Sequence, residues 1–376
     1  MGKKFGKKNV IKIDPLAYNT AVIGESGIGK TTLAKMVCEK LVGEDGYIIA
    51  NVGKEDGIDA ISGAIYEDIE DWDIFSEFCD DIIENKLEDY PDLRVIVWDT
   101  IDELIRIGEP EAIRRYNKQL TGKTAKQART IKQAWGGFGE GEKYTVNMIM
   151  DKLWELKKAG VMMFLLGHTK VRTKSDPVTG EDYDMLTTNM SYSSFNAFKT
   201  KLHFLGVASI NREIVREKTG KKDIVTKAEL EKGKIDHQER RITFRDDNFN
   251  IDSKSRFEDI VEHIPLNADA FIKALTDAIS AEANKDVTDK TFAERAKEQK
   301  AEEHERVKEK VENKKNEREV DAVIEIQQDI AEFISENKLS SPQKLKPLLI
   351  KMKELGYIKP SSIDNIEDAM MLKDLI

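Results

Sequence analysis

Short apolar segments recur along residues 18–265, and stretches with helical spacing separate them. These segments show little alternation with polar residues, which is typical of strands buried on both faces of a sheet. They cover residues 20–23, 47–50, 95–98, 161–166 and 205–210. The intervening helical patterns include residues 32–42, 74–87 and 146–159. This order predicts an α/β domain in which helices flank a mostly parallel sheet.

The remaining chain has three different patterns. Residues 241–257 alternate apolar and polar positions and predict an antiparallel edge hairpin. Residues 281–320 contain 23 Asp, Glu, Lys or Arg side chains, which predicts either a solvated helix or a disordered linker. Apolar residues return at helical spacing from residue 320 onward. We therefore predict a basic tail (1–17), a core domain (18–278), a charged linker (279–319) and a small helical module (320–376).

A glycine-rich segment follows the first predicted strand. Residues 24–31 read GESGIGKT and match G-x-x-x-x-G-K-[ST] at every fixed position. Glycines let backbone N–H groups point at phosphate oxygens, and the following helix directs its positive end toward the anion. The motif predicts Mg-ATP binding, with Lys30 at the β- and γ-phosphates and the Thr31 hydroxyl on Mg²⁺. The predicted nucleotide contacts are Gly24, Glu25, Ser26, Gly27, Ile28, Gly29, Lys30, Thr31 and Thr32.

Polar residues follow other predicted strands. Asp99 ends the segment VIVWD, and we predict that it holds Mg²⁺ through water from the edge of the sheet that carries the phosphate loop. His168 comes directly after the segment 161–166, and we predict that it senses the γ-phosphate. Hydrolysis also needs a carboxylate that orients water, and Glu55 and Glu103 are the two alternatives.

Composition limits the classes of protein to consider. The net charge is -10, so any contact with nucleic acid needs a local basic patch. Cys38 and Cys79 fit no metal-binding or redox spacing and are predicted to be buried reduced thiols. No stretch is long and apolar enough to span a bilayer. The expectation is a cytoplasmic protein with no membrane partner, in the host cytoplasm if a phage encodes it.

The order of these motifs resembles the RecA-type core of P-loop ATPases, and in particular the phage RecA-like ATPases linked to single-strand annealing recombination. The resemblance covers roughly residues 18–278 and rests on residues 24–31, 95–100, 135–136, 167–169 and 254–257. It implies a RecA-like P-loop NTPase fold. It also implies a catalytic glutamate at the end of the second strand, which favours Glu55. Lys254 and Arg256 match a Lys-x-Arg pair that reaches the nucleotide of a neighbouring subunit, which implies a homo-oligomer, a ring or a filament.

A basic segment lies between two of the predicted strands. Residues 113–135 contain no Asp or Glu, and Tyr116 and Trp135 accompany the cations. Cations neutralise phosphates and aromatic rings stack on bases, so this segment predicts a site for single-stranded DNA, with residues 170–174 as a second candidate. The alternative is a solvated surface loop. The predicted contacts are Arg114, Arg115, Lys118, Lys123, Lys126, Arg129, Lys132, Lys170 and Arg172.

Together, these patterns predict an enzyme. The expected activity is Mg²⁺-dependent ATP hydrolysis coupled to handling of single-stranded DNA in phage-type recombination, repair or replication, with ATP and Mg²⁺ as the bound groups. The small helical module is expected to dock a partner such as a single-strand-binding protein or another subunit. A P-loop small-molecule kinase and a non-catalytic ATP-dependent switch or scaffold are the alternatives.

Overall fold

The computed structural model describes residues 9–53, 57–120, 126–175, 180–222, 229–245, 253–285, 292–340 and 343–376. The chain divides into two compact units, Met1–His304 and Glu305–Ile376. The strands are β1 (Thr20–Gly24), β2 (Tyr47–Val52), β3 (Tyr66–Ile69), β4 (Val95–Asp99), β5 (Met162–Ser175), β6 (Asp182–Thr188), β7 (Phe204–Lys222), β8 (Glu229–Thr243), β9 (Lys254–Ser255) and β10 (His263–Pro265). The α-helices are α1 (Lys30–Val42), α2 (Trp72–Glu84), α3 (Ile101–Gln119), α4 (Glu140–Lys158), α5 (Tyr192–Lys199), α6 (Ala268–Asn284), α7 (Phe292–Ser340), α8 (Leu345–Glu354) and α9 (Ile366–Lys373).

The described strands form one sheet in the order β10-β8-β7-β1-β5-β4-β2-β3, with β6 paired to β5 and β9 paired to β7. The neighbours from β7 to β3 run parallel. Strands β6, β8, β9 and β10 pair antiparallel. All five apolar segments lie in the parallel part, as expected for strands covered on both faces. The predicted fold class, an α/β P-loop core with a mostly parallel sheet, is therefore confirmed.

The strand order sets where the polar residues meet. Strand β5 lies between β1 and β4, and Gly24 at the end of β1 pairs with His168 of β5. On the other side of β5, Asp99 at the end of β4 pairs with Leu166. Because parallel strands end at the same edge, the phosphate loop, His168 and Asp99 all lie at the carboxyl edge of the sheet.

The predicted edge hairpin over residues 241–257 is wrong. Residues 241–243 end strand β8, and residues 254–255 form β9, but both strands pair with β7 rather than with each other. The hairpin of this region is instead formed by β7 and β8. Strand β10 pairs with the outer side of β8 at Ile242 and covers the sheet on that flank.

Apolar side chains pack on both faces of the parallel sheet. On one face, Phe164 of β5 belongs to the same buried cluster as residues of α1 and α6, and its ring stacks on Phe271 with centroids 5.8 Å apart. On the other face, the buried Trp98 of β4 meets the rings of Phe75 and Phe78 in α2. A fully buried aromatic side chain contributes about 1.5–3 kcal/mol to stability, so this packing holds the strand ends in place.

The two cysteines lie inside this packing. Cys38 of α1 and Cys79 of α2 are buried free thiols, as predicted. Burial raises the pKa of both thiols, which keeps them protonated and unreactive.

The second unit has a small core of its own. The apolar residues that return after residue 320 lie on the last turns of α7 and on α8 and α9, where Ile330, Leu348 and Leu372 are fully buried. The charged stretch before them is helical over its described part, because α7 runs without a break from Phe292 to Ser340. Of the two alternatives for that stretch, the described residues adopt the helix.

Across the described residues, no helix combines the length and the apolar content that a membrane span requires.

Candidate nucleotide site

The phosphate loop joins β1 to α1. Gly27 has φ 74° and Gly29 has φ 108°, the left-handed backbone that glycine adopts without strain. At the start of the loop, a Cβ on Gly24 would lie 2.8 Å from the carbonyl oxygen of Ala208 on β7. The glycines of the motif are therefore required by the path of the loop and by its close contact with β7. Side chains at Glu25, Ser26 and Thr32 are exposed, and Ile28 is buried beneath the loop.

Lys30 begins helix α1 and is 6% exposed. Its Nζ donates hydrogen bonds to the carbonyl oxygens of Gly24 and Glu25, both at 3.0 Å. The ammonium group is therefore held against the phosphate loop itself. A bound phosphate would offer anionic oxygens to the same group, and charge-assisted hydrogen bonds are stronger than neutral ones.

Thr31 and Asp99 come together at the predicted metal site. The Thr31 hydroxyl donates to Oδ2 of Asp99 at 2.5 Å. Burial raises the pKa of the Asp99 carboxyl, while the Thr31 hydrogen bond and the charges of Lys30 and His168 act in the opposite direction. A divalent cation would favour the ionised carboxylate, and oxygen ligands are those that Mg²⁺ prefers. The two side chains therefore fit a magnesium ion.

The surroundings also fit an ion that shares its ligands with a nucleotide. Within the described part of the chain, no three His, Cys, Asp or Glu side chains gather into a protein-only metal centre. Mg²⁺ usually keeps several waters and takes one or two protein ligands together with phosphate oxygens. The Thr31–Asp99 pair is consistent with that mode of binding.

His168 lies between the phosphate loop and Asp99, where the sequence predicts a sensor. Its backbone N–H donates to Oδ2 of Asp102 at 2.7 Å, and its Nδ1 lies 3.6 Å from the same oxygen. Among the described residues, Oδ1 of Asp102 and Oγ1 of Thr169 are buried without a hydrogen-bond partner. Asp102 was not among the residues predicted from the sequence, although its position three residues after Asp99, in the first turn of α3, was a usable signal.

Of the two candidate general bases, Glu103 lies within the described residues. Its carboxylate accepts a hydrogen bond from Nε of Arg106, and a Cβ on Gly53 would lie 2.3 Å from its Oε2. Glu103 therefore contacts the backbone directly after β2, which is the strand end where the resemblance expects a catalytic glutamate. Glu55 lies outside the described residues.

Arg240 is a site residue that the sequence analysis missed. It lies near the end of β8, and its Nη1 donates to the carbonyl oxygen of Ile28 in the phosphate loop at 3.3 Å. The Arg240 guanidinium also lies 3.9 Å from the place of a Cβ on Gly29. No sequence pattern indicated it, because residues 211–240 lack the apolar run that predicted the other strands.

Lys254 and Arg256 lie at the opposite edge of the sheet. Lys254 pairs with Leu205 at the start of β7, which is parallel to β1. Lys254 Nζ donates to the carbonyl oxygen of Lys199 at 2.5 Å, and Arg256 donates to those of Leu202 at 3.1 Å and Thr200 at 2.6 Å. Neither side chain is near the phosphate loop of its own chain, so a role at a nucleotide requires a second subunit.

The basic segment is only partly a loop. Residues 113–119 end helix α3, and Arg114 and Arg115 pair with the buried carboxylate of Glu111 at 2.5 Å and 2.7 Å. Trp135 donates from Nε1 to the carbonyl oxygen of Ala112 at 3.1 Å and stacks on Tyr144. Arg114 and Arg115 are nevertheless exposed, as are the cations Lys118, Lys126, Arg129 and Lys132. Lys123 lies outside the described residues.

The second basic candidate is part of the sheet. Residues 170–174 continue strand β5, which pairs there with β6. Lys170 Nζ donates to the carbonyl oxygen of Asn189 at 2.9 Å, and Arg172 is exposed.

Comparison with known proteins places the chain in a family. A sequence family described as an AAA domain, AAA_24, matches residues 17–257, which is more than half of the chain. No curated protein matches the chain. Among solved structures, the flagellar accessory protein FlaH from Methanocaldococcus jannaschii is 9% identical, with 64% of this chain and 83% of FlaH covered and a TM-score of 0.28. The matched region contains the phosphate loop, Asp99 and His168, and the chain belongs to the AAA_24 family of AAA-domain P-loop ATPases.

Proposed function

We propose that this protein is a Mg²⁺-dependent ATPase whose nucleotide cycle is coupled to the handling of single-stranded DNA. The observation that carries the ATPase part is the 2.5 Å contact between Thr31 and Asp99 beside the buried Lys30. It joins the start of helix α1, which follows β1, to the end of β4, and β5 lies between these two strands. A bound Mg²⁺ ion would polarise the phosphates and neutralise charge that develops on them.

The residues of the chain have separate tasks in this proposal. Lys30 and the backbone N–H groups of the phosphate loop bind and orient the phosphates, while Thr31 and Asp99 fix the metal position. His168 lies next to Gly24, and its backbone N–H donates to Asp102, so this pair would respond to the loss of the γ-phosphate. This arrangement would couple the state of the nucleotide to strand β5.

Two glutamates are candidates for orienting the attacking water. Glu103 contacts the end of β2 next to Gly53, and its ion pair with Arg106 orients the carboxylate. Glu55 follows β2 in sequence and is the residue that the family resemblance favours. Either carboxylate would accept a proton from water as the general base of hydrolysis.

The DNA part of the proposal is supported by charge at the surface. The protein has a net charge of -10, yet Lys118, Lys126, Arg129 and Lys132 are exposed in a segment without acidic residues. Such cations bind phosphates without reading sequence, and the binding weakens as salt rises. Arg114 and Arg115 contribute less than the sequence suggested, because Glu111 pairs with both of them.

The proposal includes a shared active site. Lys254 and Arg256 lie at the edge of the sheet away from their own phosphate loop, so a head-to-tail neighbour would bring them to its nucleotide. A ring or a filament provides such a contact, and a single-strand-binding protein is a further candidate partner for the second unit.

Steady-state ATP hydrolysis with and without single-stranded DNA, at low salt and in the presence of Mg²⁺, tests the proposal. Lys30→Ala is the inactive control, and Lys40→Ala is the matched control, because Lys40 lies on the same helix and pairs with Asp269 at the surface. The expected result is Mg²⁺-dependent hydrolysis that DNA stimulates and that only Lys30→Ala abolishes. Hydrolysis without any DNA effect or DNA binding would remove the DNA part, and nucleotide binding without turnover would favour a switch.

A further inference from the structure

Two exposed aromatic side chains lie next to the basic segment. Phe138 is 103% exposed and Tyr192 is 77% exposed. By contrast, Tyr116 and Trp135, the rings within the segment, contact each other with centroids 5.6 Å apart, and Trp135 also stacks on Tyr144 at 3.7 Å. The rings that the sequence indicated for base stacking therefore pack within the fold, whereas Phe138 and Tyr192 are available to a ligand.

The backbone around Phe138 is closely packed. Phe138 has φ 50°, a conformation that residues other than glycine seldom adopt. A Cβ on Gly139 would lie 2.4 Å from Oγ of Ser193, and a Cβ on Gly141 would lie 2.2 Å from the carbonyl oxygen of Ile131. The backbone that follows Phe138 is thus packed too closely to tolerate other side chains. The phenyl ring of Phe138 itself is fully exposed to solvent.

One of these contacts brings together the two chain segments that carry the exposed aromatic residues. Gly139 directly follows Phe138 and precedes helix α4, and Ser193 directly follows Tyr192 at the start of helix α5. The close approach of Gly139 to Ser193 therefore joins the two helix starts. Phe138 and Tyr192 are each one residue away from that contact along the chain.

Positive charge borders this surface. The carbonyl oxygen of Lys132 lies 3.5 Å from the place of a Cβ on Gly137, and the Lys132 side chain is exposed. Lys170 Nζ donates to the carbonyl oxygen of Asn189, three residues before Tyr192. Flat exposed rings beside cations suit a ligand that combines bases with phosphates, which is the composition of single-stranded nucleic acid.

We propose that Phe138 and Tyr192 stack on the bases of single-stranded DNA, with Lys132 and Lys170 beside its phosphates. This inference rests on the proposed function and names the residues that bind the strand. The surface is also linked to the nucleotide site, because the backbone N–H of Asn189 donates to the carbonyl oxygen of His168 at 2.9 Å. His168 in turn pairs with Gly24 at the start of the phosphate loop.

Binding of dye-labelled oligonucleotides to the full-length chain tests the stacking role. One oligonucleotide is a thymidine strand, and the other has the same backbone with abasic positions. The variants are Phe138→Ala and Tyr192→Ala, with Phe138→Trp as a larger ring at the same place. Trp154→Ala is the matched control, because Trp154 is a 50% exposed ring toward the other end of α4. Thermal unfolding of each variant verifies that it is folded.

The expected result depends on the bases. Each alanine variant should bind the thymidine strand about tenfold or more weakly, in the range of a lost base stack. All proteins should bind the abasic strand with the same weak affinity, and Phe138→Trp and Trp154→Ala should bind both strands like the wild type. If the wild type binds DNA and the alanine variants bind equally well, the stacking role is overturned and the surface is left for a protein partner. If the wild type binds neither strand, the stacking role and the DNA part of the proposed function both fail.

Discussion

Cationic side chains lie both where the parallel strands end (the carboxyl edge) and where they begin (the amino edge), but their surroundings differ. At the carboxyl edge, Lys30 is buried in the phosphate loop, beside the Thr31–Asp99 contact. At the amino edge, where the parallel strands begin, Lys254 donates to the last residue of helix α5 and Arg256 donates to two carbonyl oxygens just after that helix. Burial lowers the pKa of Lys254, and the nearby charges of Arg256 and Lys199 act in the same direction.

The difference indicates how a complete active site could be assembled. The carboxyl edge has the groups that bind phosphate and metal, and the amino edge has cations too far away to serve the same chain. Stacking two copies head to tail would bring the cations of one to the nucleotide of the other. Lys254 and Arg256 therefore either stabilise only their own fold or also act on the nucleotide of a neighbouring subunit.

The largest expected effect comes from Arg256→Ala. If Arg256 acts on the nucleotide of a neighbour, its loss lowers hydrolysis by about 10³- to 10⁵-fold, as for other cations supplied in trans. Mixing Arg256→Ala with Lys30→Ala subunits should restore part of the activity, because some interfaces then combine an intact loop with an intact arginine. The measurement is the hydrolysis rate of each variant and of the mixture.

A separate control tests for a purely structural role of Arg256. Arg245 also donates to a backbone carbonyl oxygen, that of Ile260 at 3.2 Å, so Arg245→Ala removes a similar contact elsewhere. A variant of Arg256 that loses thermal stability like Arg245→Ala but keeps its hydrolysis rate would show that the amino edge has no catalytic part.

The second largest effect is expected from Glu103→Gln, at a candidate general base of hydrolysis. Glu103→Gln should lower the turnover rate by about 10²- to 10⁴-fold and leave nucleotide binding unchanged, because the amide cannot accept the proton of water. Glu39→Gln is the matched control, since Glu39 forms a helical ion pair with Lys35 as Glu103 does with Arg106. A normal rate in Glu103→Gln would assign the role of general base to Glu55. The hydrolysis rate of Glu55→Gln is then the second measurement.

The smallest effect is a pH dependence of stability at the amino edge. Burial, with the charges of Lys157, Arg256 and Lys254, lowers the pKa of His203 from 6.5 to about 4. Between these values the unfolded chain binds a proton that the folded chain does not, so stability is present above pH 6.5 and is lost as the pH falls toward 4. Allowing for solvent screening at this half-buried group, the loss is about 1–2 kcal/mol.

Chemical denaturation at several pH values checks this expectation. His203→Asn keeps an acceptor for the backbone N–H of Asn19, which now donates to Nδ1 of His203 at 3.2 Å, and it removes the titration. The variant should lose less stability between pH 6.5 and 4 than the wild type, and the control His263→Asn, at an exposed histidine, should lose as much as the wild type. An unchanged slope in His203→Asn would contradict the assignment.

Much of the carboxyl edge could be predicted from the sequence. The phosphate loop is a local motif, and its glycines, lysine and threonine act within a few residues of each other. Asp99 followed from a buried strand that ends in a carboxylate. The parallel order of the strands then brought it to Thr31 without any further signal.

Other features depend on contacts between distant parts of the chain. Strand β3 was missed because three of its four residues are exposed. The β7–β8 hairpin was missed because the sequence of residues 211–240 contains no apolar run. Arg240 reaches the phosphate loop only through that hairpin. Trp135 looked available for bases in the sequence, but its ring packs on Tyr144 and its Nε1 is bonded to Ala112. Contacts between residues that are distant in the chain leave no local pattern in the sequence.

The most direct test of the central claim is calorimetric binding of a non-hydrolysable ATP analogue with and without Mg²⁺. In the wild type, Mg²⁺ should strengthen binding. Asp99→Asn should lose about 10- to 100-fold of metal affinity, because Asn keeps an acceptor for Thr31 but not the charge. Its thermal unfolding should remain close to that of the wild type. Equal Mg²⁺ dependence in the two proteins, or no binding of the analogue, would contradict the claim that Thr31 and Asp99 form the metal side of a nucleotide site.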